Sequence, residues 1–314
     1  MIPQLQLSVI IPSFNQAQYL EQTLLSIIDQ NIENIEIIVM DGGSTDGSVD
    51  IIKQYAHKLS YWVSEPDRGQ SHAINKGFAR AKGDIIAWLN SDDLYLHDTL
   101  STVLGAFNSN PDIDLIYADV INFDENRKEQ YYTVPKFEPF DFLSRVTIHQ
   151  PAVFWRKKIF EKIGYLDESL HYVMDYDYWT RIFFSFNTLK INKPLAKFRV
   201  HAASKTSSNP SVMYLEWRKV ISRFFYSVAD QHDLNLLKAL EIFDNPNSIN
   251  YDIKNKHFSI KKAMNHYIFQ VAVQEYSFGS RKKSNQLLIY SIIHGHFFKG
   301  VSFLIKNNTL KLYR

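Results

Sequence analysis

At 314 residues, with 45% apolar residues, 22% charged residues and a net charge of +2, the chain has a globular composition and enough length for one generous domain plus an appendage. It contains no cysteine, which excludes disulfides, thiolate metal sites and cysteine nucleophiles and leaves any metal to Asp, Glu, His and water. No run of about 18 apolar residues marks a membrane span and no basic segment precedes the first apolar stretch, so a cytoplasmic protein is expected.

In chain order, residues 7–11 and 35–40 are short apolar runs ending at Pro12 and at Asp41-Gly42-Gly43, the pattern of buried parallel strands. Between them Leu20, Leu24, Ile27 and Ile28 recur at helical spacing. A second helix is predicted over 46–56, with Ser44, Thr45 and Asp46 as capping side chains. The pattern repeats as a strand at 61–63, a helix at 71–81 and a strand at 84–89. Strand-like runs from 113 to 134 flank Asp124-Glu125-Asn126, so antiparallel members are expected beyond the fourth strand. Residues 188–200 read as a last strand or pair, with Pro194 arguing for an edge or a turn. The sum is an α/β fold, a doubly wound mixed sheet. Serine-rich residues 204–211 suggest a boundary, giving a catalytic domain over 1–205 and a helical extension over 206–314.

Ligands of open α/β sheets bind outside the carboxyl ends of the strands. Those ends are polar here: Pro12-Ser13-Phe14-Asn15, Asp41, Glu65-Pro66-Asp67-Arg68-Gly69 and Asn90-Ser91-Asp92-Asp93. Paired acids after a strand suit a hard divalent cation, Mn²⁺ or Mg²⁺, bridged to substrate phosphates. The glycines at 42, 43 and 47 form neither G-x-G-x-x-G nor a P-loop, and no G-x-S-x-G elbow exists. Nucleic-acid binding would need a basic, aromatic face, for which only the C-terminal tail is a candidate.

The segments Val9-Ile10-Ile11-Pro12-Ser13-Phe14-Asn15, Val39-Met40-Asp41-Gly42-Gly43-Ser44-Thr45-Asp46-Gly47, Glu65-Pro66-Asp67-Arg68-Gly69, Ala73-Ile74-Asn75-Lys76-Gly77, Ala81-Lys82-Gly83-Asp84 and Leu89-Asn90-Ser91-Asp92-Asp93 together resemble glycosyltransferase family 2, with its GT-A fold, in order and spacing over roughly residues 7–205. Within that family the chain resembles bacterial transferases of O-antigen and exopolysaccharide assembly. The resemblance implies an inverting glycosyltransferase using a nucleotide diphosphate sugar, with a UDP-sugar favoured, and a glycan or lipid-linked hydroxyl acceptor. It implies that Pro12, Ser13 and Asn15 line the nucleotide pocket and that Asp41 accepts a hydrogen bond from the base. Asp67 and Gly69 would lie against the nucleoside, with Asn75 nearby. Asn90, Ser91 and Asp93 would face the donor, and Asp92 would bind the metal, joined by His201 from the end of the last apolar run. Asn90 stands where the family's acidic motif often begins with Asp, so one anionic ligand is missing. His149 and Gln150 would lie close to the donor sugar or acceptor. The general base falls on Asp175, in Asp175-Tyr176-Asp177-Tyr178-Trp179-Thr180-Arg181, with Asp177 a cap or a buried partner of Arg181 at i+4. Two rival readings are a nucleotide-sugar-binding protein without catalysis and a nucleotidyltransferase.

Residues 1–253 carry 24 Lys+Arg against 32 Asp+Glu, a net of −8, whereas residues 254–314 carry 11 against Glu275 alone, a net of +10. From 281 onward basic residues alternate with Leu287, Leu288, Ile289, Ile292 and Ile293. Such a tail can pack on an acidic domain or hold the protein peripherally at an anionic membrane, on the inner face of the cell membrane.

Overall fold

The computed structural model describes residues 5–126, 128–144, 147–201, 205, 209–244, 251, 253, 258–296 and 303. They fall in two compact units, Met1–Lys136 with Ile148–Ser208, and Phe137–Thr147 with Asn209–Arg314.

The first unit opens with β1 (Leu7–Ser13), buried along its whole length, and α1 (Ala17–Ile28), whose Leu20, Leu24 and Ile27 bury one face. There follow β2 (Ile35–Asp41), α2 (Ser48–Tyr55), β3 (Tyr61–Ser64), α3 (Gln70–Arg80) and β4 (Ile85–Trp88). β1 pairs in parallel with both β2 and β4, and β2 with β3; β1, β2 and β4 are buried, whereas β3, at the end of the sheet, is half-buried. The helix expected from 46 begins at Ser48, because the Asp46 carboxylate bonds the amides of Ser48 (3.0 Å) and Ala17 (2.9 Å) from outside it. Gly77 lets α3 lie directly on the sheet: a Cβ there would stand 2.4 Å from Ile10 Cγ2.

Beyond β4 come β5 (Leu94–Tyr95), α4 (Thr99–Ser109), and the hairpin of β6 (Leu115–Asp124) with β7 (Glu129–Tyr132). After α5 (Pro139–Ser144), which belongs to the second unit, the chain continues as β8 (Val153–Arg156), α6 (Ile159–Ile163), α7 (Met174–Phe183) and β9 (Thr188–Val200). The sheet order is β3-β2-β1-β4-β8-β6-β9-β5, with β7 on β6. β8 is antiparallel to both β4 and β6, which makes the sheet mixed. Residues 188–200 form one strand, and Pro194 sits inside it. The proline is accommodated at an irregularity, where the pairing Ala118↔Ile191 slips to Asp119↔Pro194 and then to Val120↔Ala196.

Tyr178 and Trp179 lie in the interior with Trp88 and Trp155; Trp88 and Trp179 stack at 5.3 Å with an 11° interplanar angle. The Asp177–Arg181 ion pair forms at 2.9 Å, almost fully buried, and Arg181 also donates to the carbonyls of Ile163 (2.6 Å) and Tyr165 (2.9 Å).

The second unit is helical in its described residues: α5, α8 (Pro210–Val228), α9 (Gln231–Ala239), α10 (Ile260–Phe278) and α11 (Arg281–Ser291). Asn209, Asp230, Ser259 and Ser280 cap the last four, each accepting a bond from an amide of the first turn. Trp217, Phe225 and Tyr267 pack together, and the buried Arg218 and Glu275 approach to 3.6 Å. Among the described residues no helix is long and apolar enough to cross a membrane. Of the basic tail, 297–302 and 304–314 lie outside the described residues.

Candidate functional site

At the carboxyl end of β1, Asn15 adopts a left-handed conformation (φ 51°), which Asn tolerates better than most residues. Its amide donates to Ser44 Oγ (2.8 Å) and its side-chain oxygen accepts from Thr45 N (2.9 Å), while Gly42 N donates to the Ser13 carbonyl (2.8 Å). The loops after β1 and β2 are thus stitched into one surface. Pro12 pairs in the sheet beside Met40, and Ser13 Oγ is buried there without a hydrogen-bond partner among the described residues. Asp41, expected to meet a base, is buried and already occupied: it accepts from Ser44 N (2.8 Å), Gly43 N (3.1 Å), Ser64 Oγ (2.6 Å) and Ser44 Oγ (2.5 Å). Three of these donors fall on Oδ2 and one on Oδ1, so of the roughly two acceptor sites on each oxygen it is Oδ1 that keeps one. Asp41 shapes the loop first.

The turn after β3 closes on the same surface. Asp67 accepts from Gly69 N (2.7 Å), and its other oxygen lies where a Cβ on Gly42 would stand, 2.6 Å away. Gly69 has φ +112°, a conformation L side chains rarely adopt, and leads into α3. Asn75 is held by the protein itself. Its amide is committed to Leu166, donating to the carbonyl and accepting from the N–H, both at 3.0 Å, and to Glu168 at 3.2 Å. α3 turns Asn75 toward the segment between α6 and α7, whose backbone needs partners.

The acidic motif follows β4. Asp92 Oδ2 lies 3.0 Å from His201 Nε2, joining positions 109 residues apart. Neighbouring ligands on an octahedral ion with bonds of about 2.1 Å stand about 3.0 Å apart, so this oxygen and this nitrogen fit adjacent positions on one divalent cation. Asn90 turns its oxygen to Gln70 Nε2 (2.8 Å), and Ser91 is buried. Asp93 points inward, accepting from Arg199 N (2.9 Å), and is 1% exposed. Burial pushes its carboxyl well up, and the neighbouring Asp92 charge adds to this.

Arg199 was not foreseen. Its guanidinium donates to the Asp92 carbonyl (2.8 Å) and Gln22 (2.8 Å) and lies between the rings of Tyr19 and Phe123, 4.4 Å from each. Its signal in the sequence was its place two residues before His201, on the same side of a strand. Gln70 and Lys205 were also missed; Lys205 Nζ donates to Gln70 Oε1 at 3.0 Å.

Asp175 occupies the first turn of α7, half-buried, and accepts from Tyr176 N at 2.7 Å. Burial raises its carboxyl to about 6, while hydrogen bonds from the Tyr176 and Asp175 amides oppose the shift. That places proton transfer near neutral pH, where a general base is effective. His149 packs against Tyr132 (4.4 Å, tilted) and edge-on to Phe198 (5.0 Å), and burial lowers it to about 4, so it is a neutral imidazole at pH 7. Gln150 donates to the Trp88 carbonyl (2.7 Å), leaving Oε1 buried without a partner among the described residues.

The family described as "Glycosyl transferase family 2" matches residues 8–175. An uncharacterized glycosyltransferase of Rickettsia typhi is 30% identical over 242 residues, covering 74% of this chain and 75% of its own length. Among solved structures, residues 1–349 of TarS from S. aureus in complex with UDP-GlcNAc superpose with a TM-score of 0.63 at 17% identity, over 94% of this chain and 92% of that one. A mannosyltransferase from Pyrobaculum calidifontis in complex with GDP-Man and Mn²⁺ gives 0.56 at 18% identity, over 99% and 81%. At those identities the likeness is one of fold.

Proposed function

Because the chain belongs to glycosyl transferase family 2, we propose that this glycosyltransferase moves a sugar from a UDP-sugar to a hydroxyl of a glycan or lipid-linked acceptor, with inversion. The observation that carries the reading is the Asp92–His201 pair, an acid and an imidazole brought to 3.0 Å at the carboxyl end of the sheet. A divalent cation there would offset charge on the departing diphosphate, Lewis-acid chemistry worth several kcal/mol. The mixed oxygen and nitrogen donor set favours Mn²⁺ over Mg²⁺. Asp175 takes the proton of the acceptor hydroxyl as its oxygen bonds to the anomeric carbon and the bond to the phosphate oxygen breaks. A carboxyl near 6 is ionised at pH 7 and basic enough to hold that proton. The turn at 67–69 and the stitched loops at 13–15 and 42–45 bind and orient the nucleoside. TarS, which shares the fold, binds UDP-GlcNAc, and this supports uracil as the base.

The test is Mn²⁺-dependent release of nucleoside diphosphate from UDP-GlcNAc and GDP-mannose, with NMR assignment of the product anomer. Release of pyrophosphate would favour a nucleotidyltransferase, and binding without turnover would favour a nucleotide-sugar-binding protein. Asp175→Asn should keep donor binding and remove transfer; unchanged turnover refutes the base assignment. For the acceptor side, α11 exposes Ile289, and the turn after it Ile293, beyond the exposed Arg281 and Lys282, which supports peripheral contact with an anionic membrane.

A further inference from the structure

We infer that Glu168 is a positioning residue that ties the donor-side turn at 67–69 to the segment delivering Asp175, so that one set of contacts shapes both halves of the reaction centre. The inference rests on the reading of Asp175 as the base. Residues 164–173 connect α6 to α7 and have no regular structure of their own. The start of the segment is fastened to α7, where Arg181 bonds the Ile163 and Tyr165 carbonyls and Tyr178 Oη donates to the Gly164 carbonyl (3.2 Å). Its middle is fastened to α3: Asn75 brackets Leu166, and Ser71 Oγ donates to the Leu170 carbonyl (3.1 Å).

Glu168 is where these fastenings meet the nucleotide loop. One oxygen accepts from Asn75 Nδ2 at 3.2 Å and the other from Arg68 Nη2 at 2.6 Å. Burial pushes its carboxyl up, but the bonds from Arg68 and Asn75 outweigh this and hold it below the ordinary value. Arg68 lies between Asp67 and Gly69, whose bond to each other forms the turn. The partners are 93 and 100 residues from Glu168 in the chain. The Arg68 side chain is 71% exposed and that of Glu168 33%, and an ion pair so open to water adds little to global stability. Its effect is therefore local: it fixes the segment against α3 and sets where α7 begins, with Asp175 in its first turn.

The experiment is amide hydrogen exchange on the full chain, comparing wild type with Glu168→Ala, Glu168→Gln and Arg68→Met, each alone and with UDP and Mn²⁺. Without ligand, Glu168→Ala should exchange roughly tenfold faster over 164–176, with an unchanged urea midpoint. Glu168→Gln, which can still accept from Asn75, should be intermediate. UDP with Mn²⁺ should slow exchange over 164–176 in wild type, and this protection should be lost in Glu168→Ala and Arg68→Met. Equal exchange over 164–176 in all four proteins, or a change spread evenly over the domain, overturns the inference. Failure of UDP to bind any of them falls on the donor reading, since the ligand-free comparison stands without it. Full turnover by Asp175→Asn would remove the base reading while leaving the exchange result in place.

Discussion

Asp175→Asn should make the protein more stable while making it inactive. A carboxyl raised from 3.8 to about 6 costs the folded state about 3 kcal/mol when ionised, at ~1.4 kcal/mol per tenfold change in affinity for the proton. Partial solvent access reduces this to about 1–2 kcal/mol. The sign follows from proton uptake. Between about pH 4 and 6 the folded chain keeps a proton that the unfolded chain has released, so stability falls as pH rises through this window and the cost is complete above 6. Asparagine carries no charge and retains an oxygen for the Tyr176 amide, so its advantage should be near zero at pH 4 and full at pH 7.5. Urea denaturation of both proteins at the two values measures it, and transfer at pH 7.5 should fall by about 10²–10⁴. A stability difference equal at both pH values, or a variant less stable at pH 7.5, would refute the argument that burial tunes this group.

Asp92→Asn and His201→Ala should each weaken Mn²⁺ binding roughly 10–100-fold or more, read by titration calorimetry with Mn²⁺, and should remove the Mn²⁺-dependent part of thermal stabilisation by UDP. Asp177→Ala leaves Arg181 buried without its anion and should cost about 3–5 kcal/mol, seen as a lower urea midpoint. Arg281→Glu with Lys282→Glu should reduce flotation with phosphatidylglycerol vesicles at low salt, since each basic residue near such a surface contributes ~1 kcal/mol; equal flotation of both proteins removes the membrane reading.

β1, β2 and β4 could be read from the chain because a strand buried on both faces must be apolar throughout and then give way abruptly to polar residues at Ser13, Asp41 or Asn90. Asp177 and Arg181 could be paired because helical spacing fixes their distance. The Asp92–His201 pair was reachable only through the family resemblance, since no local rule links positions 109 apart. Glu168 was invisible for the same reason: its partners Arg68 and Asn75 come from another helix and its preceding turn. A Ser-Asp-Asp triplet does not say which carboxylate turns inward; that it is Asp93 is decided by the Arg199 amide, supplied by β9.

The slipped pairing around Pro194 has a further meaning. Ile116, Ala118 and Val120 share the apolar face of β6, and their partners on β9 are Leu189, Ile191 and Ala196, so the chain spends an odd number of steps between Ile191 and Ala196 on the same face. An unbroken strand would return Arg199 to the side of Leu189 and Ile191, into the apolar layer. The irregularity is thus a phase shifter: it inverts the alternation halfway along one strand, so that the first half packs and the second presents Arg199 and then His201 to the acidic motif. Its length matters more than its composition. Removing one residue from 192–195 should abolish Mn²⁺ binding by calorimetry in a chain that still folds, whereas single substitutions there should leave binding within about threefold, a shift worth less than ~1 kcal/mol.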